Sequence, residues 1–457
     1  MKRLFFLVSF ICMPLLVAGS SRQLTESQIE AMGDSLKRNA AFTSVQTVLF
    51  NQQFNDAFIN QRVLKDHNSD YTYEIEIGNI SDQKRTGRCW MYAGLNVIRH
   101  RVKDRLNLKE FEFSENYLFF WDKLEKANHF LEEVIARSDL DIRSEAFQRI
   151  LKSPMSDGGY WQNCVDLVKK YGCVPIDAMP EVASTANSRQ MQTHLTFYLR
   201  DAAYKLKEEK QTGATIDQLR SLKEHQLQDV YRMLALHLGE PVTQFSFRHR
   251  DDDTKLTPYQ TYTPQSFAKT FVEEDMADYV MFANWPDRDY EQYYEVELSS
   301  NLIDGTPLNF VNLPMEEIKK MVIESIKNQE PINFSADVGK QSSRKMGIFH
   351  ADLYPYESVY SVPMKWEKRS DSVMQNISST HAMVIIGVDM KDGKPLKWKV
   401  ENSWGKDSGD KGVFHMYDNW MDLYVVRIVL HKEYVPQKYL KMFDQKPVII
   451  PEYEPEQ

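Results

Sequence analysis

The chain has 457 residues, 42% of them hydrophobic and 12% aromatic, and a formal net charge of -9. That length suffices for two or three packed units with cores of their own, and the composition excludes a disordered chain. The acidic balance argues against binding nucleic acid through its phosphates.

The first twenty residues stand apart. Lys2 and Arg3 precede an apolar run from Leu4 to Val17, which exits through Ala18-Gly19-Ser20-Ser21. A basic start, a short apolar run and small residues predict a signal peptide over 1–20 and an exported protein, periplasmic or secreted. The run is shorter than the roughly 20 residues that span a bilayer. No later run reaches that length, so no membrane span is expected in the mature chain. Cleavage leaves Cys89, Cys164 and Cys173. Export favours disulfides, but the segment after Cys164 reads as helix up to Gly172. Nine residues at about 1.5 Å each put Cys164 and Cys173 roughly 13 Å apart, beyond the ~7 Å Cα limit for a bridge. Both are expected as small core residues, the usage of an intracellular protein carrying an export tag.

Residues 21–80 read as an N-terminal arm with one helix near Gln28–Asn39. From Cys89 onward Trp90, Ala93, Gly94, Val97 and Ile98 recur on one face of a 3.6-residue period, which predicts a helix beginning at the cysteine. Residues 81–180 are expected as a helical lobe. Within it Asp157-Gly158-Gly159 makes a tight turn before the helix that carries Cys164. Residues 181–301 read as a helical insertion: Thr215 and Gln218 form a capping-box pattern, and Gly239 and Pro241 stop the stripe that follows.

Residues 302–440 read as a strand-rich lobe, and 441–457 as a tail. Met383 to Val388 is a short apolar run, and Leu396, Trp398 and Val400 alternate with Lys397 and Lys399. The turn signal Asp392-Gly393 lies between them and predicts a hairpin. Folding the chain there sets Asn402 opposite Met383, with His381 on the same face. Diagonal neighbours of that kind lie about 7–8 Å apart, and a slip of one residue would separate them.

That pairing matters because of Cys89. A thiol at a helix N-terminus beside an imidazole is the arrangement of a nucleophile with its base. His381 is the expected base, and Asn402 the group that orients its ring. Trp404 would cover that bond from water. Gln83, with the Cys89 main-chain N–H, would bind the oxyanion of a tetrahedral intermediate. The eleven histidines show no ligand spacing, no cysteine pair is spaced for zinc, and no phosphate loop is present, so neither metal nor cofactor is expected.

The chain resembles the bleomycin hydrolase and aminopeptidase C family of papain-like cysteine peptidases. The likeness runs from about Leu24 to Pro455 through Gln-Lys-Arg-Thr-Gly-Arg-Cys-Trp (83–90), Asp-Gly-Gly-Tyr-Trp (157–161), Thr-His-Ala-Met (380–383) and Val-Glu-Asn-Ser-Trp-Gly (400–405). Thr86 and Arg88 depart from the Cys-Gly-Ser/Ala-Cys-Trp/Tyr pattern of the secreted enzymes. The resemblance implies an α+β, two-lobed papain-like fold with a helical insertion subdomain. It also implies broad aminopeptidase activity on peptide substrates through a thioester, and a homohexamer whose sites face an internal cavity. It places Asp157, Gly158, Gly159 and Trp404 at the cleft and directs the C-terminal tail into it. Relatives are mostly cytoplasmic, which is the alternative to export. Only Glu456 and Gln457 follow Pro455, about three residues fewer than in many relatives, or roughly 10 Å of extended chain. The alternatives on that ground are endopeptidase or dipeptide-releasing activity. A further alternative is a non-catalytic binding or assembly protein, against which the intact Cys89, His381, Asn402 and Gln83 speak.

Overall fold

A computed structural model describes residues 22–37, 40–250, 255–272 and 276–451. The expected signal peptide and the last six residues of the tail lie outside the described residues. The chain divides into two units.

The smaller unit comprises residues up to 59 together with 354–362. Its helices are α1 (Glu26–Lys37), α2 (Ala40–Asn51) and α3 (Phe54–Ala57), with a short helix Tyr356–Tyr360. The Phe54 ring stacks on Tyr356 at 4.9 Å and on Tyr360 at 5.1 Å. The arm therefore holds more than the one helix expected.

The larger unit holds everything else. After α4 (Gln61–Asp66), its helical layer consists of α5 (Cys89–Leu106), α6 (Glu115–Ala136), α7 (Glu145–Lys152) and α8 (Trp161–Tyr171). It continues through α9 (Ala183–Ala186), α10 (Arg189–Gln211), α11 (Ile216–Leu238) and α12 (Pro264–Phe271). The capping box at Thr215 and Gln218 forms as expected, and Gly239 closes α11 at φ 87, a conformation that glycine adopts without a Cβ clash. Cys164 sits in α8 and Cys173 just beyond it; both are buried free thiols.

The strands are β1 (Tyr73–Glu74), β2 (Phe245–Phe247), β3 (Gln260–Tyr262), β4 (Tyr279–Ala283), β5 (Gln292–Val296), β6 (Asn309–Asn312) and β7 (Ile332–Ala336). The rest are β8 (Ser342–Ser343), β9 (Ile348–Phe349), β10 (His381–Lys391), β11 (Lys394–Glu401), β12 (Val413–Tyr417), β13 (Val425–His431) and β14 (Val448–Ile450). The main sheet runs β14-β5-β6-β4-β13-β7-β10-β11-β12-β9-β8, with β1 against β10.

Alternate residues of β10 enter two different cores. Val384 and Ile386 pack in one core with Leu95 and Ile98 of α5. Met383 and Ile385 pack in the other with Ile318 and Val322 of the helix Met315–Lys327. A strand buried on both faces reads as an unbroken apolar run, as this one does.

The helical expectation for 181–301 needs correction. It holds through α11, but the β2–β3 pair precedes α12, and β4 and β5 follow it and belong to the main sheet. Their sequences, Tyr-Val-Met-Phe-Ala and Gln-Tyr-Tyr-Glu-Val, are too short for periodicity to separate strand from buried helix.

Candidate active site

The site forms where α5 begins beside the start of β10. Strands β10 and β11 pair Val384 with Glu401, and one more step places Asn402 across from Met383, as the hairpin arithmetic requires. The register shifts twice on the way. Leu396 is left over between the pairs Asp389–Lys397 and Met390–Pro395, and Ile386 between Ile385–Val400 and Gly387–Lys399. One extra residue on each strand cancels the other, so His381 and Asn402 meet.

His381 Nε2 lies 2.8 Å from Asn402 Oδ1. That oxygen also accepts the Ser403 main-chain N–H at 2.8 Å. A main-chain N–H can only donate, so the amide orientation is set and Nε2 must carry the ring hydrogen. Nδ1 is left as the proton acceptor. The Trp404 ring stacks on His381 with centroids 4.6 Å apart and planes 24° apart, and the Arg344 guanidinium lies 4.8 Å from the Trp404 centroid. Among the described residues Asn402 Nδ2, which is buried, has no hydrogen-bond partner.

Cys89 is the first residue of α5, after the N-cap Arg88. Burial pushes its thiol up from the ordinary value, against the pull of the Ala382, Trp90 and Cys89 main-chain amides. The Ala382 contact ties the sulfur to the residue after His381. Burial also lowers the His381 imidazole to about 4; the Asn402 bond opposes the shift and the Arg344 charge adds to it. Taken one at a time, both groups are driven to their uncharged forms. A thiolate and an imidazolium formed together would stabilise each other.

Gln83 is buried, and its amide is held at both ends. Its Oε1 accepts the Ser403 hydroxyl at 2.7 Å, and its Nε2 donates to Thr86 O at 2.6 Å. One N–H of that amide remains. Sequence reasoning passed over Ser403, although it lies inside the Glu-Asn-Ser-Trp-Gly motif; a single hydroxyl carries no periodicity or spacing that marks it.

Cys89, His381 and Gln83 share a cavity of about 610 Å³, whose other walls include Gly158, Gly159, Tyr160, Trp161, Asn333 and Ser335. Gly159 lies so close to the Trp90 ring that a Cβ would come within 2.6 Å of it. Two expected cleft residues are not on the wall. Trp404 covers the His381 ring instead. The Asp157 side chain is turned into the protein, where it pairs with Lys123 at 2.6 Å, because a carboxylate buried there needs that charge. Among the described residues no group of three His, Cys, Asp or Glu side chains is placed to hold a metal ion, and no helix is long and apolar enough to cross a membrane.

The sequence profile of the Peptidase C1-like family matches residues 23–456. The chain is 36% identical to the aminopeptidase C of Streptococcus thermophilus over 392 residues, 85% of this chain and 88% of that protein. It is 33% identical to the aminopeptidase C of Listeria innocua over 441 residues, 95% and 98% of the two chains. The crystal structure of PepW from Lactobacillus rhamnosis is similar with a TM-score of 0.91 at 34% identity, covering 96% of this chain and 99% of that one.

Proposed function

The chain belongs to the Peptidase C1-like family and has its α+β, papain-like fold, and from that premise we propose that it is a cysteine aminopeptidase. The observation that carries this reading is the His381–Asn402 bond of 2.8 Å beside a cavity shared with Cys89 and Gln83. In the reaction, His381 Nδ1 takes the Cys89 proton as the sulfur attacks the carbonyl carbon of a peptide bond. The oxyanion is met by the remaining Gln83 N–H and the Cys89 main-chain N–H. Its collapse breaks the C–N bond, and the amine leaves with the proton held by His381. Water then gives a proton to His381 and adds to the thioester. When the C–S bond breaks, the thiol regains its proton and the acid departs. No metal or cofactor enters this scheme.

Selection for a free N-terminal amine rests on the aminopeptidase relatives. Fluorogenic substrates with a free and with a blocked amine, run on the parent and on Cys89→Ala, test both parts. Turnover of the free-amine substrate alone, lost in the variant, is expected. Faster turnover of the blocked substrate overturns the aminopeptidase reading, and activity in Cys89→Ala overturns the whole.

Two finer parts belong to the same proposal. Ile29 and Met32 of α1 are 55% and 56% exposed, an apolar stripe suited to self-association into a homo-oligomer, a hexamer by resemblance. Light scattering on the parent and on Met32→Glu tests it, with a fall in mass expected in the variant. The composition of residues 1–20 supports export. Recovery of the protein outside the cytoplasm with those residues removed is the expected result, and retention of an uncleaved chain would oppose it.

A further inference from the structure

Asp157 lies behind the cavity wall, and four residues from three parts of the chain converge on it. Its Oδ1 pairs with Lys123 Nζ of α6 at 2.6 Å. Its Oδ2 accepts the Ser188 hydroxyl at 2.5 Å and the Gly87 main-chain N–H at 3.1 Å. Its main-chain oxygen accepts the Trp90 indole N–H at 2.7 Å. Burial would raise this carboxyl, but Lys123, Ser188 and Gly87 outweigh it and hold the group at about 2. It is an ionised acceptor at neutral pH.

The Gly87 contact reaches the chemistry. Gly87 N–H and Thr86 C=O belong to one peptide unit, which is planar and turns as a body. The N–H end is held by Asp157. The C=O end accepts Gln83 Nε2 at 2.6 Å. If that unit turns, Gln83 loses the acceptor for one N–H, and the direction of the other is no longer fixed. The approach is close: a Cβ on residue 87 would stand 2.8 Å from the Asp157 Cβ, so only glycine brings this amide onto the carboxylate without displacement. Hydrogen bonds in such a chain polarise one another, and the ion pair at its head strengthens the line.

We propose that Asp157 is a positioning residue for oxyanion binding: through the Thr86–Gly87 peptide it fixes the orientation in which Gln83 presents its remaining N–H to the substrate carbonyl oxygen. The inference rests on the thiol-peptidase reading of the cleft. It gives Asp157 no contact with substrate.

A double-mutant cycle on a free-amine fluorogenic substrate tests it, with kcat and KM measured for the parent, Gln83→Ala, Asp157→Asn and the double variant. Loss of an oxyanion donor lowers kcat by about 100-fold or more, and that is expected of Gln83→Ala. Asp157→Asn should lower kcat by roughly 10-fold with KM nearly unchanged. The double variant should match Gln83→Ala within about threefold, because residues acting as a unit are not additive. Multiplied losses, or no loss in Asp157→Asn, overturn the proposal. An unchanged kcat in Gln83→Ala overturns the thiol-peptidase reading of the oxyanion site itself, and the proposal with it. Should Asp157→Asn fail to fold because Lys123 is left buried without its counter-charge, Lys123→Met/Asp157→Asn removes both charges and carries the same cycle.

Discussion

Ser403 donates its hydroxyl to Gln83 Oε1 at 2.7 Å, joining residues 320 positions apart. Its main-chain N–H goes to Asn402 Oδ1 at 2.8 Å. One residue thus orients both amide side chains of the site, through different groups. The two roles separate on mutation. Ser403→Ala removes the hydroxyl and keeps the main-chain N–H. Gln83 Oε1 is then buried without that donor, a cost of about 1–3 kcal/mol. The expected result is a roughly 10-fold lower kcat with KM unchanged, and an unaltered rate of Cys89 alkylation by a small reagent, since the His381–Asn402 bond survives. A change in KM alone, or slower alkylation, would count against this division of labour.

Trp404 touches both the buried His381 ring, with centroids 4.6 Å apart, and the Arg344 guanidinium, 4.8 Å from the indole centroid. Burial is the main cause that lowers the imidazole to about 4. Trp404→Ala admits water to the His381–Asn402 pair, so the imidazole should titrate nearer its ordinary value, about 6.5. NMR titration of that ring is the direct measurement, and an unmoved midpoint would show that the indole does not exclude the water.

The site was legible from sequence where its geometry is local or carried by motif. The hairpin turn at Asp392-Gly393 placed Asn402 across from Met383 because the irregularities at Ile386 and Leu396 cancel; either one alone would have moved Asn402 one step away, and neither residue type announces a bulge. The helix at Cys89 followed from its apolar face. Asp157 shows the limit. Its Asp-Gly-Gly turn was visible, but the side-chain direction depends on Lys123 and Ser188, 34 positions before it and 31 after it, and no local pattern encodes that. β4 and β5 were lost for a related reason: strands of five residues each carry too little periodicity to be told from a buried helical turn.

Arg88 stands next to the nucleophile yet points away from the cleft. Its guanidinium is fully buried and meets Glu181 at 3.0 and 2.7 Å, Thr185 O at 2.8 Å and, through Nε, Thr86 Oγ1 at 3.1 Å. It also lies over the Tyr92 and Phe119 rings, 5.2 and 5.0 Å from their centroids. A lysine keeps the charge but cannot make the fork or stack its plane on the rings. Breaking a fully buried pair costs about 3–5 kcal/mol; here Arg88 is buried but the Glu181 side chain is 31% exposed, so the cost is smaller. Arg88→Lys should lose about 2 kcal/mol in urea unfolding. A loss under about 0.5 kcal/mol would show that the pair does not hold the nucleophile's turn.

The pH dependence of stability follows from histidines buried in neutral form. His415 lies against the His67 ring at 4.7 Å, and its Nδ1 meets the Tyr71 hydroxyl at 2.6 Å. Burial, then the nearby His67 and Lys397, lower it to about 4, against the pull of Asp410. Unfolded, the ring titrates near 6.5. Below that pH the unfolded chain binds a proton that the folded chain refuses. The contribution of His415 is therefore whole above about 6.5, falls as the pH drops, and is gone at about 4. At 1.36 kcal/mol per unit it amounts to at most about 3 kcal/mol. Glu115 acts in the opposite sense. Burial, with Glu181 beside it, raises its carboxyl to about 8, so the folded state keeps a proton that the unfolded state releases, and stability falls as the pH rises from 4.5 to 8. His415→Gln removes one titration and leaves Glu115 alone. Between pH 4 and 6.5 the slope of unfolding free energy against pH, measured by urea unfolding, should then be less positive by up to about 1.4 kcal/mol per pH unit than in the parent, and equal slopes would mean that His415 is protonated in the folded state.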